Sequence, residues 1–199
     1  MNYKDQLVLT GEIDEEGAAI RKNSGESYRL GLEIDANIRV NKWLSLRPNI
    51  AVSRNRNRDF VAVFDGAQQN FGDTEISFSP NIVAGNMIRV SLVKNLQLNF
   101  LSKYVGEQYM SNYEVEASKL EDYTTTDLNI QYIWQNAPLF KEVIFTGLVN
   151  NIFDEEYISN GYYYTYDIPN DDGSTTTYDG AGYYPQATIN FLVGITLRF

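Results

Sequence analysis

Tyr28-Arg29-Leu30-Gly31-Leu32-Glu33-Ile34-Asp35-Ala36-Asn37-Ile38-Arg39-Val40 places an apolar residue at every even position and glycine, a charge or an amide at every odd one. A helix would repeat its apolar residues at mixed spacings of three and four, and no such stripe is present. Side chains on a strand alternate between two faces, so this stretch makes one apolar face and one polar face. It is also long, since strands in water-soluble domains usually run to about five or six residues.

The same alternation recurs along the chain. Leu44, Leu46, Pro48, Ile50 and Val52 form one row, and Ile82, Ala84, Ile88, Val90 and Leu92 form another that Asn86 interrupts. Leu96, Leu98, Phe100 and Tyr104 follow, then Leu128, Ile130, Tyr132 and Trp134, then Val143, Phe145, Gly147 and Val149. Ile189, Phe191, Val193, Ile195, Leu197 and Phe199 complete the series. With a shorter opening strand at Tyr3–Thr10, the pattern predicts eight strands.

The connections alternate as well. Asn41-Lys42, Val93-Lys94-Asn95 and Gln135–Lys141 are short, whereas Gly11–Ser27, Phe60–Ser77, Met110–Asp122 and Asp154–Tyr184 are long. Short turns at one end and long loops at the other are the habit of a transmembrane barrel. Trp43, Trp134, Phe140 and Phe199 fall at the short-turn end, and Tyr28, Phe60, Phe78, Tyr104, Tyr109 and Tyr123 at the other, as two interfacial girdles would require. In hydrocarbon an unpaired backbone group costs several kcal/mol, so a spanning sheet must close on itself. The expected fold is therefore all-β, an antiparallel up-and-down transmembrane β-barrel. Its interior would carry Arg29, Glu33, Asp35, Arg39, Arg47, Gln97, Asn99, Lys103, Asp127, Gln131 and Arg198, as an ion-pair network in a narrow barrel or the wet wall of a wide one.

Composition narrows the function. The 199 residues carry 26 Asp and Glu against 16 Lys and Arg, a net charge of −10, with no Cys and no His. Without them there is no disulfide scaffold, no Ser-His-Asp triad and no ordinary zinc site. Nucleic-acid binding needs clustered basic residues, and the balance here is acidic. No run of 18 apolar residues exists, and Met1–Gln6 has no apolar leader core. No enzyme, cofactor or resident metal is expected.

The C-terminal segments carry a resemblance. Asn150-Asn151-Ile152-Phe153-Asp154-Glu155-Glu156-Tyr157 resembles the segment that precedes the last loop of TonB-dependent outer-membrane receptors. Tyr184-Pro185-Gln186-Ala187, with Asn190 through the closing Phe199, is similar to their terminal strand, and Tyr3–Thr10 and Ser27–Glu33 are similar to their mid-barrel strands. The texture resembles the siderophore-receptor branch of Bacteroidetes type. That resemblance implies a barrel of about 22 strands, of which residues 1–199 would be the C-terminal part, about eight strands, with the plug domain and signal peptide absent. It implies TonB-dependent uptake of a scarce ligand such as a ferric siderophore, with TonB engaged only through an absent N-terminal region. It implies outer-membrane lipid and lipopolysaccharide as surroundings. It also implies recognition of the terminal strand (Phe191, Val193, Ile195, Leu197 and Phe199) by the barrel-assembly machinery. An autonomous eight-stranded barrel with a structural or adhesive role is the alternative, and a soluble β-sandwich or lipocalin-like module a third.

Three groups of residues are candidate sites. Tyr162, Tyr163, Tyr164 and Tyr166 belong to an expected hairpin, Tyr162–Ile168 against Ser174–Tyr178, whose rings could stack on a planar ligand or only on one another. Arg54 and Arg56, with Arg58, could hold an anionic chelate or lipid phosphates, or pair with acidic loops. Asp167, Asn170, Asp171 and Asp172 offer oxygen ligands, but not at EF-hand spacing, and turn chemistry accounts for them better. Asp14-Glu15-Glu16 and Asp154-Glu155-Glu156 read as solvated charge runs.

Overall fold

The computed structural model describes residues 1–14, 16, 18–112 and 114–199, so Glu15 of the first charge run lies outside the described residues. Strands β1 (Asn2–Ile13), β2 (Ala19–Asp35), β3 (Ile38–Arg39) and β4 (Leu44–Arg58) lead into a small hairpin, β5 (Val61–Phe64) and β6 (Ala67–Asn70). After β7 (Thr74–Glu75) come β8 (Ile82–Val90), β9 (Leu96–Val105), the short pair β10 (Gln108–Tyr109) and β11 (Lys119–Leu120), then β12 (Tyr123–Gln135) and β13 (Glu142–Asn150). A tall hairpin, β14 (Ile158–Pro169) with β15 (Thr175–Pro185), precedes the last strand, β16 (Asn190–Arg198).

Eight of these strands run antiparallel as one wall in the order β1-β2-β4-β8-β9-β12-β13-β16, seven from the alternating rows and β1 from the expected opening strand, and the same sheet continues past β1 through a parallel bridge to β14 and on to β15. The sheet is not closed: β16 pairs with β13 alone, and β1 is not joined to it.

Register shows why the rows alternate. Ile34, Ile50 and Ala84 stand opposite one another, as do Leu46, Ile88, Phe100, Leu128, Val149 and Phe191 across six strands. That face is apolar and uncovered, with Val193 83% exposed. The opposite face is polar and is linked mainly by amides. Asn99 Oδ1 accepts from Arg89 Nε at 3.2 Å and from Gln97 Nε2 at 3.1 Å, while Asn99 Nδ2 donates to Asn129 Oδ1 at 3.2 Å. Of the two interiors the sequence allowed, this amide ladder resembles a wet wall more than a dense ion-pair network.

The structure places the opening strand and corrects two strand expectations. The first strand does not run alongside the whole of its neighbour. Asn2 pairs with Tyr28, and pairing proceeds upward from there, so β1 flanks only the upper half of β2. The span Gly11–Ser27 is not a long loop, because β1 and β2 continue through it as a tall hairpin. That extension has no apolar row, so hydrophobic periodicity could not show it. Finally, the strand expected to reach Val40 is interrupted after Asp35. The register on either side of the gap is unbroken (Asp35 opposite Asn49, Ile38 opposite Leu46). Pro48 faces the gap, and having no N–H it cannot donate a ladder bond there, although its carbonyl still accepts from Ala36 at 3.0 Å.

At the short-turn end, Asn41 Oδ1 accepts the backbone N–H groups of Trp43 and Leu44 at 2.9 and 2.8 Å, a side-chain-stapled turn. Phe140 packs on Phe199 with ring centroids 5.1 Å apart. The buried core lies among the long loops rather than in the wall. Val8, Phe60, Ala62, Met110, Leu120 and Tyr163 form it, with Phe64 and Phe71 packed against it. Phe60 is therefore a core residue of this cap and not a member of an upper aromatic girdle.

Candidate ligand-binding region at the loop end

The segment after β13 is knotted by its own side chains. Asn151 is 4% exposed and adopts φ 51°. Its N–H donates to Asp127 Oδ1 at 2.9 Å, its Nδ2 donates to the Glu155 carbonyl at 2.8 Å, and its Oδ1 accepts the Glu155 N–H at 3.0 Å. Asp154 Oδ1 then accepts the Ile189 N–H at 2.8 Å, tying this turn to the entry of β16. Tyr157 stacks on Tyr123 at 4.4 Å, while Phe153 stands 75% exposed. The residues that carried the family resemblance are thus the ones that join the last two wall strands.

The tall hairpin has the expected pairing, Tyr166 opposite Tyr178 and Ile168 opposite Thr176, and continues further down to Ile158 and Pro185. Its period-two pattern sends the tyrosines in two directions. Tyr162, Tyr164, Tyr166 and Tyr178 make a continuous row with centroid spacings of 6.2, 6.2 and 5.8 Å, and Tyr184 lies 5.9 Å from Tyr162. Gly182 and Gly180 sit opposite Tyr162 and Tyr164. A Cβ on Gly180 would come 2.6 Å from the Tyr164 ring, and one on Gly182 would collide with the Tyr162 ring. The two glycines are what let these rings lie across the neighbouring strand. Tyr163 points the other way: it is 7% exposed, packs in the cap core and donates to Asp179 Oδ2 at 3.2 Å. Of the four tyrosines proposed from sequence as a stacking surface, three share a face and Tyr163 is not with them.

The hairpin tip is held by turn chemistry. Asp172 Oδ1 accepts the Ser174 N–H at 2.9 Å and the Ser174 hydroxyl at 2.6 Å, and those bonds hold its carboxyl below the ordinary range. Asn170 Nδ2 donates to Ser174 Oγ and Thr176 Oγ1 at 2.8 and 2.9 Å. The tip is hooked to the β5–β6 hairpin by a reciprocal pair: Asp65 N–H donates to Thr177 Oγ1 at 2.6 Å, and Thr177 N–H donates to Asp65 Oδ1 at 2.7 Å.

The arginines lie elsewhere. Arg54 and Arg56 stand opposite Leu30 and Tyr28, above the apolar face and away from the polar one. Arg56 is held by Glu114 at 2.6 Å and Glu75 at 3.3 Å; Arg58 pairs with Glu26 at 3.6 Å and sits 5.2 Å over the Tyr28 ring. Arg54 is exposed. The structure does not bring these arginines to the tyrosine row.

A cavity of about 660 Å³ opens where the β11–β12 corner, the 156–158 segment and the outgoing arm of the hairpin meet. Leu120, Tyr157, Ile158, Tyr183 and Pro185 give it apolar walls, and Glu116, Lys119, Glu121, Asp122 and Glu156 its charges. Tyr183 is fixed by its hydroxyl, which donates to the Ala117 carbonyl at 3.0 Å. Sequence reasoning missed this site because its walls come from three segments with no shared motif.

The sequence matches no family model and no characterised protein. The fold matches solved structures across its whole length. The ferric-catecholate import receptor Fiu from K12 E. coli superposes with a TM-score of 0.63 at 15% identity, over 100% of this chain and 24% of that one. The siderophore receptor PiuA from Acinetobacter baumannii gives 0.60 at 14% identity, over 98% and 25%, and the ferric yersiniabactin uptake receptor FyuA from Yersinia pestis gives 0.59 at 18%, over 98% and 25%. In fold the chain matches part of the barrel of these receptors. The chain spans about a quarter of the length of the receptors it matches. The wall, the joining turn after β13 and the loop cap described above match that portion of those barrels in fold, and so do the segments 150–157 and 184–199 that carried the resemblance.

Proposed function

We propose that the chain is the C-terminal part of the barrel wall of a TonB-dependent outer-membrane receptor that takes up a scarce ligand, a ferric siderophore, without chemistry on it. The observation that carries this reading is the wall itself: strands whose apolar face is bare from β2 to β16, with β16 open on its far side and, at the other end, β1 beside only the upper half of β2 and bridged to the tall hairpin. In water such a face would be a large exposed patch of the kind that marks an interaction or membrane surface. In a bilayer it is the lipid contact, and open edges call for further strands, since unpaired backbone is not tolerated in hydrocarbon. The open sheet favours a larger barrel over an autonomous eight-stranded one. The loop cap, with its tyrosine row and cavity, is then the ligand-facing end, and Arg54 lies at the height of lipopolysaccharide headgroups. Iron-limited cells lacking the protein should lose accumulation of a labelled ferric siderophore, and cells that keep it but lack TonB should lose it equally. Accumulation that persists without TonB overturns the proposal.

A further inference from the structure

We infer that the cavity beside the β11–β12 corner is a ligand subsite selective for cationic or neutral, partly apolar chelates, and that it rejects strongly anionic ones. This rests on the receptor reading and specifies its ligand class. The volume, about 660 Å³, is that of a small-molecule site, and the apolar walls with a few charged groups match the usual construction. Its charge is one-sided: four carboxylates, on Glu116, Glu121, Asp122 and Glu156, face one cation, Lys119. Lys119 is already committed, bonded to Glu107 at 3.0 Å and Glu121 at 3.4 Å. Glu116 and Glu156 are held in no ion pair among the described residues, so their charge is left to act on an incoming ligand. The chain as a whole, at −10, adds a field of the same sign. Two aromatic walls, Tyr157 braced on Tyr123 and Tyr183 pinned to Ala117, offer ring surface to a cation as readily as to an apolar arm. The arginine forks that would receive an anionic chelate are absent from the cavity, since Arg56 and Arg58 are paired elsewhere above the apolar face.

The test uses outer membranes from cells producing the protein and two labelled probes. One is a ferric trihydroxamate carrying a free ammonium, monocationic overall; the other is ferric tris-catecholate, trianionic overall. The cationic chelate should bind at roughly tenfold lower concentration, the size expected of a few partly screened charges. The double variant Glu116→Gln, Glu156→Gln should erase that preference while reaching the membrane at the same level. Glu26→Gln, which removes a carboxylate remote from the cavity, should leave it intact. Equal or tighter binding of the trianionic chelate, or a preference that survives the double variant, overturns the inference and leaves the receptor reading standing. Binding of neither chelate overturns both.

Discussion

Asn151 holds its turn with three hydrogen bonds from a conformation that most side chains avoid. Replacing it by alanine removes both side-chain bonds to Glu155, each worth about 0.5–1.5 kcal/mol net, and puts a less tolerant side chain at φ 51°. Asn151→Ala should therefore lower the midpoint of heat unfolding, followed in detergent by the mobility shift of the barrel on a semi-native gel; an unchanged midpoint would count against the knot. At the hairpin tip the linkage has a definite sign. Asp172 is lowered by the Ser174 hydroxyl and N–H, so the tip is favoured above the ordinary carboxylate range and the advantage is lost as pH falls through the lowered value. Ser174→Ala should move the Asp172 titration, read by its carboxyl carbon NMR shift, back upward. No movement would mean that the hydroxyl bond is not formed. These residues also show how much a sequence reveals at this level. Asn-Asp-Asp-Gly reads at once as a turn, whereas the burial of Tyr163 does not, because its neighbours on either side are also tyrosines and the row gives no clue as to which face is covered.

Strands were the legible part of this molecule. Each of the seven alternating rows became a wall strand because a sheet with one lipid-type face must write its period into the chain. Above that face the constraint lapses, which is why residues 19–27 extend β2 without an apolar row and why the break opposite Pro48 is silent in hydrophobicity. The two faces make a direct prediction. Ile34→Arg and Ile195→Arg place a cation on the apolar face and should each destabilise the inserted protein by about 2–4 kcal/mol near mid-depth. Asp35→Arg, on the polar face opposite Asn49, should be distinctly milder. Denaturant titration of protein refolded in lipid measures all three, and equal losses would show that the faces have been assigned the wrong way round.

Taken whole, the protein keeps its buried hydrophobic cluster at the loop end and leaves the wall dependent on its surroundings. That cap was illegible in the sequence because it joins segments such as Val8, Phe60, Met110 and Tyr163, which share no period and no motif. The cavity has the same origin, assembled from three separate loops. We propose that assembly of the wall depends on its last strand: Phe199 packs on Phe140, and the family resemblance would make it the closing aromatic of a sorting strand. Deleting Phe199 should reduce the amount of protein reaching the outer membrane, as measured by surface labelling, and unchanged labelling would separate this strand from sorting. The clasp between Asp65 and Thr177 has a mechanical implication. It latches two excursions of the chain that leave the wall far apart, so a swing of either one drags the other along, like a single shutter, or first breaks the latch.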